Sequence, residues 1–294
     1  MGLVRVIHPF PTALDSLVTA ALAALAGGSA DVIVRLAVAM FAIQASIGAT
    51  NDIVDASRDA QVKPSKPIPA RDVPVSTARV LAFGALAVGL VLAASVSAAA
   101  CALAVAGSAA GYAYDLRLKG TAASWVPFAV GIPVLPLFAW TGATGGVPSA
   151  VLVLAGLAVP AGAAIAIANA LPDLERDRSS GIASVATALG PRRGWLVDGM
   201  LVVIVVAGAV ASFAALGGFA WLASDLPHQP AQPSEIGLLA AALGLLSLTS
   251  LAVGVRLSRS VPRSGRQRGW ELQAIGVGLL AAGWIAGLVA ANRL

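Results

Sequence analysis

Two short stretches of this 294-residue chain gather oxygen-bearing side chains at spacings suited to chemistry. The first is Asn51-Asp52-Ile53-Val54-Asp55-Ala56-Ser57-Arg58-Asp59, and the second is Asp173-Leu174-Glu175-Arg176-Asp177. Asn51, Asp55 and Asp59 recur every four residues, as do Asp173 and Asp177, so on a helix each set shares one face. Together the two stretches hold six of the chain's fourteen acids. Both follow apolar runs and are expected at helix C-termini, where the macrodipole disfavours anions and like charges four apart repel. Solvated helix ends would explain one such cluster alone. Two clusters in an unfavourable field imply a bound cation. All-oxygen ligands favour Mg²⁺ or Ca²⁺, and two histidines and one cysteine, far apart, argue against structural zinc.

Cations stand beside the acids. Arg58, Lys63, Lys66 and Arg71 lie in or after the first cluster, and Arg176 and Arg178 in or after the second. Mg²⁺ keeps coordination positions for water and substrate phosphate, so carboxylates, metal and basic residues together describe a diphosphate site. Pro64, Pro67, Pro69 and Pro74 stiffen the basic stretch. A third element, Tyr112-Ala113-Tyr114-Asp115-Leu116-Arg117-Leu118-Lys119, contains both tyrosines of the chain. An interfacial aromatic belt would explain them; the functional reading sets one hydroxyl and Lys119 beside the diphosphate or a nascent cation.

The elements that must position these residues are membrane helices. The chain is 58% hydrophobic and 11% charged, against about 25% charged in soluble domains, and its mean hydropathy is +0.87. Nine apolar runs are expected to span a bilayer, at about 11–29, 32–50, 77–95, 97–115, 121–141, 149–171, 194–216, 236–257 and 270–291. The uncharged stretch 78–114 is too long for one span and is divided near Ser95–Ser97. The N-terminal run resembles a signal peptide, but Asp15 interrupts it, and a retained first span is expected. With these spans, 17 of the 19 basic residues fall on one face, which the positive-inside rule makes cytoplasmic, with the N-terminus inside and the C-terminus outside. The opposite loops, Thr141–Val147 and Ser224–Ser234, carry almost no positive charge, with neither Lys nor Arg. Basic residues confined between apolar runs speak for topology rather than nucleic acid. Arg5 and His8 are read as topology and helix-start residues, with contact to an acidic acceptor as the alternative. Cys101 reads as a packed helix residue.

In this order and on one face, the motifs resemble the UbiA superfamily of intramembrane prenyltransferases. Asn51, Asp52, Asp55 and Asp59 match its NDxxDxxxD motif, and Asp173, Asp177 and Gly181 its DxxxDxxxG motif. Lys63–Ala70 looks like the basic stretch after the first motif, and Tyr114–Lys119 like the tyrosine-to-lysine element. The resemblance covers nearly the whole chain. It implies an all-α helical bundle, one domain over 1–294, around a central cavity. It further implies Mg²⁺ held by Asn51, Asp52, Asp55, Asp59, Asp173 and Asp177, with Asp52 in a supporting or ligating role. Arg58, Lys66 and Lys119 would contact a polyprenyl diphosphate, and Tyr114 would orient the leaving group or stabilise the cation. The implied reaction is prenyl transfer to a lipophilic or aromatic acceptor in a cell inner membrane. A terpene cyclase of the same superfamily is an alternative without an acceptor. A secondary transporter is the alternative outside enzymes, but it would place its polar site near the bilayer midplane, whereas these carboxylates collect at one surface.

Overall fold

The computed structural model describes residues 2–220 and 234–294. Among these the secondary structure is helical throughout, without strands. Seven helices are long and apolar enough to cross a membrane. Two further apolar helices, at 17 and 16 residues, fall short of that length, so the expectation of nine spans meets seven of full length among the described residues. The expected loop at 224–234 lies, except for Ser234, outside the described residues.

The chain forms two compact units. The first comprises residues 1–119 and 134–146. It contains α1 (Gly2–Val6), α2 (Pro9–Leu25), α3 (Ala30–Val62), α4 (Val75–Val96), α5 (Ala98–Ala113) and the latter part of α6 (Val126–Thr144). Helix α3 is its axis, packed by α2 and α4. Its 33 residues make about 50 Å at 1.5 Å each. That exceeds the roughly 30 Å of hydrocarbon, so its C-terminal turns carry the first motif beyond the apolar zone. The charge-free stretch does break at Ser97, whose extended backbone ends α4 and whose hydroxyl accepts from Ala100 N at 3.0 Å to start α5. After α5 the chain makes a π-helical turn, Tyr114–Leu118.

The second unit comprises residues 120–133 and 147–294. It contains the start of α6, then α7 (Ser149–Ala170), α8 (Leu174–Ser179), α9 (Val185–Ala215), α10 (Glu235–Leu257) and α11 (Arg263–Ala290). Gly162 lets α7 meet α6 backbone to backbone, since a Cβ there would lie 2.2 Å from the Phe128 carbonyl oxygen. Trp284 of α11 donates its indole N–H to Ala209 O of α9 at 3.1 Å. Gly190, at φ 76°, and Pro191 kink α9 near its start.

Candidate functional site

In the first unit the predicted residues converge. Asn51, Asp52, Asp55 and Asp59 occupy the last turns of α3, and all four are buried, with 9%, 2%, 6% and 1% exposure. Their charges are matched from neighbouring segments. Lys66 Nζ lies 2.7 Å from Asp52 Oδ1 and 2.9 Å from Asp59 Oδ2. Arg58 Nη2 lies 2.8 Å from Asp55 Oδ2, and Lys119 donates to the same oxygen. Thus the three cations expected on a diphosphate all stand on the motif's own carboxylates.

The loop holding Lys66 is tethered at both ends. Ile68 and Val73 pack in an apolar cluster with Val6, Ala49, Ala78 and Ala82. Backbone bonds Lys66 N to Lys63 O and Ala70 N to Lys66 O close turns among the prolines. Burial works against the Lys66 ammonium, but Asp52 and Asp59 outweigh it and raise its pKa above the ordinary lysine value of 10.5. Lys119 depends on the π turn: its N–H bonds Tyr114 O, five residues back, at 2.9 Å. The extra residue in that turn rotates the ammonium towards Asp55. It also sets Lys119 Nζ 5.9 Å from the Tyr114 ring centroid. Tyr112 serves packing instead, its hydroxyl 2.7 Å from Ser46 Oγ.

Two partners were missed by sequence reasoning. Sequence alone makes His8 a helix-start residue, yet its Nε2 lies 3.0 Å from Asp52 Oδ1. It reaches there from a left-handed backbone at φ 51°. Gly48 admits the chain beside it, because a Cβ would sit 2.9 Å from the Ile7 carbonyl carbon. Arg5 donates to Ser65 O at 2.7 Å and ties α1 to the lysine loop. Asp115 accepts from Asn51 Nδ2 at 2.6 Å. The signal for it was a lone acid between two tyrosines and a lysine.

In the second unit the sequence expectation needs a correction. The second motif does not end α7. Pro172 cannot donate to the preceding turn, and a 3-10 turn, Leu171–Asp173, intervenes. Asp173 closes that turn, and Glu175 and Asp177 stand in α8, which continues the helical path to Ser179. Gly181 ends α8: at φ 70° it bonds Arg178 O while Ile182 N bonds Asp177 O at 2.9 Å, the Schellman arrangement that requires a left-handed residue. Asp177 Oδ2 accepts from Ser184 Oγ at 3.1 Å. Arg176 Nη1 lies 3.2 Å from Asp173 Oδ1.

Among the described residues no three His, Cys, Asp or Glu side chains stand close enough to form a ready metal cage. The donor set nevertheless suits a hard cation. Asp59 Oδ1 and Asp115 Oδ2 are buried without a hydrogen-bond donor, and such oxygens are costly unless paired. Asp55 and Asp59 would gain a divalent ion by exchanging it for Lys119 and Lys66.

A membrane-helix protein with acid-rich turns and matched lysines and arginines is thereby defined. Residues 14–228 match the UbiA prenyltransferase family, and the chain belongs to that family. A digeranylgeranylglyceryl phosphate synthase from Methanopyrus kandleri is 32% identical over 170 residues, 56% of this chain and 61% of the relative's own length. A UbiA homolog from Archaeoglobus fulgidus bound to GPP and Mg²⁺ superposes with a TM-score of 0.71 at 17% identity, covering 99% of this chain and 100% of that one. The apo UbiA homolog from Aeropyrum pernix K1 gives 0.70 at 18% identity, covering 96% and 98%. At such identities the structures share the fold.

Proposed function

We propose that this protein, as one prenyltransferase domain over 1–294, transfers a prenyl group from a polyprenyl diphosphate to a lipophilic or aromatic acceptor within the membrane. The observation carrying this reading is the first motif: four buried oxygen-bearing side chains paired with Lys66, Arg58 and Lys119. Each of these cations can leave a carboxylate for a phosphate oxygen. The relatives support the substrate class, one being named a digeranylgeranylglyceryl phosphate synthase and another being bound to GPP and Mg²⁺. A glycerol-phosphate acceptor is accordingly the first to test.

Asn51, Asp52, Asp55, Asp59, Asp173 and Asp177 would hold divalent ions, Mg²⁺ by ligand type, with Asp52 in the supporting role that its pairing to His8 and Lys66 suggests. Bound Mg²⁺ supplies charge neutralisation for the departing diphosphate. Arg58, Lys66 and Lys119 donate hydrogen bonds to the diphosphate oxygens and strengthen as negative charge develops there. The Tyr114 face stabilises the allylic cation by its ring quadrupole. Apolar helices exclude water until an acceptor attacks and loses its proton. By the basic-residue asymmetry, the motifs face the cytoplasm at the inner membrane.

The test is to incubate purified protein, Mg²⁺ and geranyl or geranylgeranyl diphosphate with membrane lipid extract and identify products by mass spectrometry. A prenylated lipid with stoichiometric diphosphate is expected. Diphosphate released without acceptor, accompanied by a cyclic hydrocarbon, would replace the proposal with cyclisation. Neither product with any prenyl diphosphate would refute it.

A further inference from the structure

The arginine-rich connection between α10 and α11 is read from sequence as a topology signal, yet two of its residues grip the second motif. Arg263, the first residue of α11, brings Nε to 3.0 Å and Nη2 to 2.9 Å from Asp173 Oδ1. Arg176 Nη1 approaches the same oxygen at 3.2 Å. One turn further along α11, Arg266 Nη2 lies 2.5 Å from Glu175 Oε2. Its Nη1 donates to Ser260 O and Val261 O at 3.2 and 3.1 Å.

The two arginines are held differently. Arg266 is 11% exposed and fixed by loop carbonyls. Gly265 lets the turn close, since a Cβ there would meet Ser260 Cβ at 2.5 Å. Arg263 is 51% exposed, and the polar contacts found for it are on Asp173. Helix stability does not account for its position. Arginines at the start of α11, without an acid in the first turn, oppose the dipole there. An exposed ion pair contributes little to folding. Arg266 therefore anchors the turn, and Arg263 is free to change partners.

We propose that Arg263 is an exchangeable counter-ion of the second motif: it neutralises Asp173 in the metal-free protein and moves to the substrate's diphosphate when a divalent cation takes its place. The inference deepens the prenyl-transfer reading and rests on it, adding a diphosphate-binding residue from α11. An Asp173 oxygen already facing two guanidinium groups must shed one to coordinate a divalent ion. The released guanidinium fork matches two phosphate oxygens. Arg263 thus opposes binding of the bare metal and favours binding of the metal with diphosphate.

That opposition in sign is the test. Full-length wild type, Arg263→Ala and Arg263→Lys are titrated calorimetrically with Mg²⁺ alone, then with geranyl thiodiphosphate in saturating Mg²⁺. Arg263→Ala is expected to bind bare Mg²⁺ about two- to fivefold tighter, the scale of a lost surface ion pair. It is expected to bind the thiodiphosphate about tenfold or more weakly, the scale of a lost charge-assisted hydrogen bond. Arg263→Lys falls between in both titrations. Parallel weakening of both would show that Arg263 only shapes the motif, and no change in either would make it a surface pair; each overturns the inference alone. Failure of the wild type to bind the thiodiphosphate overturns the prenyl-transfer reading as well.

Discussion

Lys66→Met removes the cation shared by two buried acids while keeping most of the side chain's stem. In the wild type, Nζ lies 2.7 and 2.9 Å from the carboxylates of Asp52 and Asp59, which are 2% and 1% exposed. Breaking a fully buried ion pair by removing one partner costs about 3–5 kcal/mol. Here the cost is smaller, because Lys66 is 23% exposed and His8 stays 3.0 Å from Asp52. About 2 kcal/mol is expected, or about 4–8 °C in apparent melting temperature. The Lys66 pKa is raised on folding, so its stabilisation is complete below 10.5 and lost as pH climbs through the higher folded value. The melting difference between wild type and Lys66→Met should be constant at neutral pH and shrink above 10.5. Turnover should fall about 100-fold, the scale of one lost electrostatic donor. Melting curves in detergent from pH 7 to 11, with diphosphate-release rates at pH 7, check both effects. A variant melting with the wild type at pH 7, or turning over at the wild-type rate, would refute the reasoning.

Asp55→Ala and Asp177→Ala should each lose most turnover, about 100-fold or more by the same electrostatic scale, while membrane insertion judged by fractionation is unchanged. Chelation of divalent ions should abolish product formation, and added Mg²⁺ should restore it. Melting of the chelated protein should shift little, because Lys66, Arg58 and Lys119 neutralise the first motif internally. Gly162→Ala should lower the melting temperature and yield, since its Cβ would sit 2.2 Å from Phe128 O. Overpacking of that kind costs about 1–3 kcal/mol, measurable by detergent melting.

Much of this was legible along the chain. Apolar runs located the apolar body of each helix, because each span must satisfy its backbone internally and present an apolar surface. But α3 runs on to Val62, α9 begins at Val185 and α11 at Arg263, well beyond the expected ends at 50, 194 and 270. The break at Ser97 followed from length alone. The second motif was harder. Its spacing implied one helix face, but Pro172 divides it from α7, and a proline's effect on the helix depends on the packing around it. His8 and Arg263 lie 44 and 90 positions from their partners Asp52 and Asp173. Pairing at such separation leaves no periodic trace in one sequence.

Composition and spacing alone therefore determined that the protein is a membrane helix assembly and that its acids gather in two short, helically spaced stretches, since both follow from local rules of hydropathy and helical period. Tertiary structure decided which cation neutralises which carboxylate. It set Lys66 across Asp52 and Asp59, turned Lys119 onto Asp55 through a π-helical turn, and laid Arg263 on Asp173. Charge partners are chosen by distance in space, and chain order does not encode that distance.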